Sequence, residues 1–486
     1  MRIVSRILFF VLLCNLMATA QNKQLLYDFN EIPQSLMVNP GVKTSQKWHA
    51  GLPVLSGLAF QAATSGVTIN DLFANDGVDF TTKVRERLLD VMSDRDDFSS
   101  TSQIEGITVG FRGRNRPDTY YSFGMYGEMD IISYWPKDLA ILAFEGNGGN
   151  NIGRSFDLGD LNLRGEMVNV FHFGINKKID NSLTIGGRAK IYSSIFQFQS
   201  IRNSGSFVTR PGQNNVYESA ISADMQLQTA GIKAFYDIAE EDTGTTQRDV
   251  TSLFTERVLF GGNLGLGLDF GFSYNLNPQT TITGSILDVG FISNTKDVWN
   301  YTLSGNTTTE GITVFLPDDI DDVNNDLWQE LLDDIEEALP YGENDSGYIS
   351  WRPVKVYGSV RYDFGEGGRS SVFDNCGCGV NVGGGSNRDY YRNSVGGQLF
   401  MIKRPKGVQA ALTGFYQRRF GRVLSLKTTY TIDKYTFTNL GLGANLQLGP
   451  VNFYVLADNL LSYSNIADSH YASLQFGFNI ISWNNN

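Results

Sequence analysis

Residue types that commonly carry chemistry are sparse in this chain. Only three histidines, His49, His172 and His470, and three cysteines are present in 486 residues. Nucleophilic catalysis needs a general base within reach of the nucleophile, and that base is most often His. No Gly-x-Ser-x-Gly elbow and no His-x-x-x-His pair occurs, so no enzyme is expected. Cys376 and Cys378 form a Cys-Gly-Cys step with no His nearby. Two thiols alone cannot complete a four-ligand zinc site, so neither metal nor cofactor is expected. Gly265-x-Gly267 falls within a strand-like run, and Gly383-Gly384-Gly385 precedes no helix. Neither therefore reads as a nucleotide-binding loop.

What remains is a set of charges embedded in apolar runs. Arg188 and Lys190 alternate with Ala189 and Ile191, while Arg361 and Asp363 alternate with Val360, Tyr362 and Phe364. Asp288 interrupts the run from Ile286 to Ile292. Side chains alternate across a strand, so a charge between apolar neighbours projects from the opposite face. By the same rule His172, between Phe171 and Phe173, turns away from both rings. Arg188, Lys190, Asp288, Arg361 and Asp363 are thus candidates for one enclosed, inward-facing cluster. Unpaired charge in such a space is costly. They must either pair with one another or line a wetted solute path.

The elements able to position them are strands. From Asn263 to Leu276, Leu264, Leu266, Leu268, Phe270, Phe272, Tyr274 and Leu276 occupy one face, and Asn, Gly, Asp and Ser occupy the other. This is longer than an ordinary globular strand of roughly five or six residues and long enough for a tilted membrane strand of about ten. Similar runs recur from Trp48 to Trp483. The expected fold is all-β, a transmembrane antiparallel barrel of about 14 strands with short inserted helices. From Ile286 to Leu287 the apolar phase switches, which predicts a β-bulge.

Residues 1–20 read as a signal peptide: Arg2 and Arg6 precede the apolar run Ile7 to Leu13, and Ala18-Thr19-Ala20 supplies a cleavage site. Residues 21–47 read as an exposed lead-in, and 48–486 as the barrel. Helical insertions are expected near 70–98, where Val84, Leu88 and Val91 recur at helical spacing, and at 318–339. The latter carries Ile320, Val323, Leu327, Leu331 and Ile335 on one stripe among many acids, within a long interruption from Ser293 to Gly347. It lacks a basic lipid-binding face, so it is expected to pack over the barrel mouth or onto a protein partner, on the cell-surface side. Glu240 to Arg257 reads as a polar loop. Net charge is −12, which argues against nucleic acid as a partner.

Four short motifs carry a family resemblance. They are Asn39-Pro40-Gly41 after the signal peptide, Ile185-Gly186-Gly187-Arg188-Ala189-Lys190, Ile286-Leu287-Asp288-Val289-Gly290-Phe291-Ile292, and Ala457-Asp458-Asn459-Leu460. In these the chain resembles uncharacterised outer-membrane barrels of gliding-type Gram-negative bacteria, PorP/SprF-like and fatty-acid-transporter-like. The resemblance implies an outer-membrane address, with membrane lipid as a partner. The functional expectation is a structural or assembly protein associated with secretion or surface machinery; the alternative is a lumen-based transporter or channel for a small or hydrophobic solute.

An exported chain meets an oxidising compartment. Cys376 and Cys378 are therefore expected to carry no free thiol, as a disulfide to each other or to a partner chain. Quantitative alkylation of both without reductant would contradict this.

Overall fold

The period-two pattern makes the strands, and pairing of the first with the last closes them. The structure, a computed structural model, describes residues 23–212, 217–240, 246–310, 340–366 and 391–483. Its strands are β1 (Gln46–Gly51), β2 (Leu58–Thr64), β3 (Asp97–Gly113), β4 (Arg116–Tyr134), β5 (Ser155–Asp157), β6 (Leu163–Lys178) and β7 (Leu183–Pro211). There follow β8 (Tyr217–Ala230), β9 (Asn263–Asn275), β10 (Thr280–Asn294), β11 (Val298–Glu310), β12 (Tyr341–Asn344), β13 (Tyr348–Trp351) and β14 (Lys355–Glu366). The last six are β15 (Tyr391–Arg404), β16 (Gly407–Phe420), β17 (Leu424–Ile432), β18 (Asn439–Leu448), β19 (Val451–Asp458) and β20 (Tyr471–Trp483).

β1 and β2 lie end to end as one interrupted stave, each pairing with β3 on one side and β20 on the other. β13 and β14 likewise share β10. The wall is therefore a closed antiparallel barrel of 14 staves, leaving no free sheet edge around it. Tight turns join β3–β4, β6–β7, β9–β10, β16–β17 and β18–β19 at the end where β1 begins and β20 finishes. The longer β2–β3, β4–β6, β8–β9 and β19–β20 connections leave from the opposite end.

The outer face is apolar. Leu264, Leu266, Leu268, Phe270, Phe272 and Tyr274 are all 40–58% exposed, and neighbouring staves add Phe173, Ile191, Val360 and Leu412. An apolar surface that encircles a sheet is the polarity of a transmembrane barrel.

At the loop end β7 rises beyond the wall, reaching 29 residues. Its excess length pairs with β5 and β8, and β8 carries β11 and then β12. Val298–Glu310, expected to lie in an interruption, is thus a strand paired along β8. In it only Trp299, Tyr301 and Leu303 alternate with polar residues before a Thr-rich run, too short a pattern to read as a membrane strand. Thr246–Glu256, expected as loop, is helical, as is Lys137–Glu145. Within the insertion expected near 70–98, helical turns cover Ile69–Phe73, Phe80–Lys83 and Val84–Leu89; residues 97 and 98 already belong to β3. Val84, Leu88, Ile141 and Leu142 pack against Phe156, Phe207 and Ile221 as a second core outside the wall. The acidic stretch 318–339, Cys376, Cys378 and residues 1–20 lie outside the described residues.

The largest correction concerns the lead-in. Expected to be exposed, residues 23–42 instead fill the barrel as a plug, with Leu25, Leu26, Tyr27, Phe29 and Ile32 at most 1% exposed. They form successive turns, with Phe29 N–H donating to Leu26 O and Ile32 N–H to Phe29 O. Their apolar side packs on Leu287, Tyr357, Phe400, Ile402 and Leu456 of the wall. Leu25, Phe29 and Ile32 recur at helical spacing, but the spacing does not say what covers them; the barrel does.

The plug meets the wall most closely at Asn39-Pro40-Gly41. A β-carbon on Gly186 of β7 would stand 1.9 Å from Pro40 O, and one on Gly271 of β9 would stand 2.2 Å from Asn39 Oδ1. Only glycine leaves room for this approach. Asn176 Nδ2 then donates to Pro40 O and Val42 O at 2.7 Å each, and Asn39 Nδ2 donates to Phe272 O at 3.2 Å.

We expect Gly271→Val to preserve the heat-modifiable barrel on unboiled gels but to unseat the plug. The readout is a Ser35→Cys reporter, nearly isosteric at a side chain 2% exposed, in a background without Cys376 and Cys378. Maleimide should label it many-fold faster in the Gly271→Val barrel than with Gly271 intact. Equal labelling would contradict the docking role.

Candidate functional site

Register brings the sequence-expected charges together. β7 pairs with β9 so that Arg188 faces Asp269. Arg188 Nη2 and Nε lie 2.5 and 2.7 Å from Asp269 Oδ2, and Lys190 Nζ lies 2.9 Å from the same oxygen. Lys190 also reaches Asp288 Oδ1 at 2.6 Å. The β9–β10 register shifts between Ile286 and Val289, and Asp288 takes a left-handed φ of 59°. This is the expected bulge, at a residue type that tolerates the conformation. It turns both Leu287 and Asp288 inward and lets the Asp288 N–H donate to Asp269 Oδ1 at 2.7 Å.

From Asp288 the contacts continue around the lumen. Lys355 Nζ bridges Asp288 Oδ2 and Glu128 Oε1, each at 3.0 Å. Arg352 joins Glu128 at 2.9 Å and also pairs with Glu166. All eight side chains are buried. Arg188, Lys190, Arg352 and Lys355 thus meet Asp269, Asp288, Glu128 and Glu166 in one connected lattice, to which the less buried Arg164 adds a contact with Glu166 at 3.3 Å.

Arg361 and Asp363 form a separate group. Arg361 Nε lies 2.7 Å from Asp363 Oδ1, and Nη1 donates to Asp28 O and Gln417 Oε1 at 3.0 Å each. The five charges read from the sequence therefore all lie inside the wall, but in two clusters joined through the plug. Arg188 donates to Leu36 O at 3.2 Å and Met37 O at 2.7 Å. Lys427 Nζ and Gln398 Nε2 donate to Tyr27 O, and Gln34 Nε2 reaches Ser56 O, Glu105 Oε2 and Asn479 Oδ1. Charged and amide side chains of the wall thus hold the plug largely by its backbone carbonyls. His172 lies buried beside Tyr126, with ring centroids 5.9 Å apart.

Sequence reasoning missed Asp269, Glu128, Glu166, Arg352 and Lys355 as members. Asp269 had a usable signal, standing on the small polar face of the Asn263–Asn275 strand. Arg352 and Lys355 flank Pro353, where β13 gives way to β14 and alternation breaks. Beside the lattice a cavity of about 40 Å³, lined by Lys23, Glu128, Lys190, Asp288, Lys355 and Tyr357, has room for a few waters. Among the described residues no group of three or more His, Cys, Asp or Glu is placed to hold a metal.

Truncating one partner of a buried pair strands the other charge, at a cost of about 3–5 kcal/mol. Exposed pairs contribute about 0–1 kcal/mol. We therefore expect Arg188→Ala to destabilise the barrel by about 3–5 kcal/mol. Arg202→Ala, removing an exposed rim partner 3.6 Å from Asp224, should cost no more than about 1 kcal/mol. Urea unfolding in lipid vesicles compares the two, and similar losses would contradict the lattice account.

No curated protein matches the chain. Among solved structures it is similar to a Pseudomonas aeruginosa FadL homologue, at 9% identity and TM-score 0.38, covering 93% of this chain and 94% of that one. It is also similar to the Ralstonia pickettii toluene transporter TbuX, at 11% identity and TM-score 0.37, covering 92% of each. A third is the P. putida toluene transporter TodX, at 9% identity and TM-score 0.34, covering 95% and 93%. A family model described as a family of unknown function, DUF5723, matches residues 40–458, from the plug's docking turn to the end of β19, and the chain belongs to that family.

Proposed function

We propose that this protein is an outer-membrane barrel, shut at rest by its own N-terminal plug, that passes a small hydrophobic solute when the plug shifts. The apolar belt supports the membrane address. Five tight turns share the end where β1 begins and β20 finishes, as periplasmic turns do in bacterial barrels, and on this reading the other end faces outward. The observation that carries the transport reading is the packing of Leu25, Leu26, Tyr27 and Phe29 against inward-facing Tyr357, Phe400, Ile402 and Leu456. An apolar recess inside a membrane barrel is a binding surface that the plug occupies in place of a solute. The plug adds no strand to the wall; it is held by side-chain hydrogen bonds and packing. It can therefore move without breaking the barrel ladder.

A second reading, an assembly scaffold of the PorP/SprF-like kind, is favoured by the sheet and second core built beyond the wall at the loop end. One pair of experiments separates the readings. In planar bilayers the intact protein should show little conductance, whereas deletion of residues 23–41 should give steady ohmic steps. A hydrophobic fluorescent probe, N-phenyl-1-naphthylamine, should bind the intact protein saturably and increase maleimide labelling of the Ser35→Cys reporter. A barrel that binds no probe and does not expose residue 35 would leave the scaffold reading standing.

A further inference from the structure

Between β8 and β9 the chain returns to the wall through helices Lys233–Glu240 and Thr246–Glu256 and a strap, Arg257–Gly261. The strap crosses the outside of the barrel. Asn169 of β6 pairs across from Ser193 of β7, and Ser193 from Leu264 of β9; one row below run Phe171, Ile191 and Leu266. By alternation Asn169 and Ser193 face outward with these apolar neighbours, yet they are only 3% and 0% exposed. The strap covers them. Asn169 Nδ2 donates to Val258 O at 3.0 Å, Ser193 Oγ donates to Arg257 O at 2.5 Å, and the Phe260 N–H donates to Ser193 Oγ at 3.1 Å.

The strap is pinned from behind by the buried Arg257 guanidinium, which donates to Ile195 O, Gly231 O and Asp297 Oδ2. Phe260 adopts a φ of 71°, a left-handed conformation that a bulky side chain rarely takes, and its ring stacks on outward-facing Phe171 at 4.2 Å. Strain of that kind persists only where the surroundings enforce it. The consequence is that Leu259 and Phe260, 58% and 43% exposed, lie over the wall beside the exposed Leu264 and Leu266 where the polar row would otherwise show, with Phe260 laid on Phe171.

We propose that the strap is a lipid-contacting element. Leu259 and Phe260 extend the apolar belt over a polar row, and their partner is the upper acyl chains of the outer leaflet. A polar row facing hydrocarbon needs its hydrogen bonds met from within the protein; the strap meets them and presents apolar side chains in their place. This inference rests on the membrane reading above.

The test places a single nitrobenzoxadiazole label at Leu259→Cys, Leu266→Cys or Arg202→Cys, in a background without Cys376 and Cys378, in phosphatidylcholine vesicles. Lipids brominated near the headgroup or near the chain end serve as depth quenchers, and iodide reports water. Position 259 should be quenched by bromolipid, more by the shallow bromines than by the deep ones, and not by iodide. Position 266 should be quenched by bromolipid and position 202 by iodide alone. Iodide quenching at 259, or protection from both quenchers, with 266 still lipid-quenched, overturns the strap proposal. Absence of lipid quenching at 266 overturns the membrane reading itself.

Discussion

A charge that faces the inside of a closed barrel must find its counter-charge there. Arg188 sits in the middle of an otherwise apolar-alternating stave, and the register of β7 with β9 places Asp269 against it at 2.5 Å. One pair is not enough, because Lys190 claims the same carboxylate. Each further cation requires a further anion, and the pairs run on to Glu166 of β6, which Arg164 also meets at 3.3 Å. Buried ion pairs are weak evidence of stability in themselves. What they impose is position, since each member fixes the register of the stave that carries it.

Several local oddities follow from that requirement. The bulge at Asp288 spends one residue of strand regularity to bring a second carboxylate and a backbone N–H to the lattice. Gly186 and Gly271 lie beside Arg188 and Asp269 on the same two staves, and their missing side chains make the space in which Asn39-Pro40-Gly41 docks. Arg188 then uses its remaining donors on Leu36 O and Met37 O. The lattice and the plug are thus one construction: the guanidinium that needs Asp269 also holds the segment that fills the lumen. Short motifs far apart in the chain, at 39–41, 185–190 and 286–292, meet at this place.

The wall was legible because alternation is local. Leu264 to Leu276 announces its outward face without reference to any other strand, and the phase switch after Ile286 announces the bulge. The inward direction of Arg188, Lys190, Arg361 and Asp363 follows from the same rule. Their grouping does not, since it depends on which staves are neighbours, and Asp269 gains its meaning only when β9 lies beside β7. The plug was illegible for a different reason. Leu25, Phe29, Ile32 and Leu36 recur at helical spacing, but so short a stretch does not say what covers its apolar side, and the burial is set by the barrel around it. β11 was missed because Trp299, Tyr301 and Leu303 alternate over too short a run to read as a stave; the strand is carried by β8 beyond the wall.

The central claim is that residues 23–42 occupy the lumen, held against the inner wall. Gln34 and Asn479 exchange amide hydrogen bonds at 2.9 Å in both directions, joining the plug to β20 near the far end of the chain. A Gln34→Cys/Asn479→Cys barrel, lacking the native cysteine pair and treated while folded in vesicles with a short bis-thiol cross-linker, tests this directly. The account predicts an efficient intramolecular cross-link, seen as a mobility shift on denaturing gels that neither single variant shows. If both thiols take up a monofunctional reagent readily and no cross-link forms, the segment lies outside the lumen and the account fails.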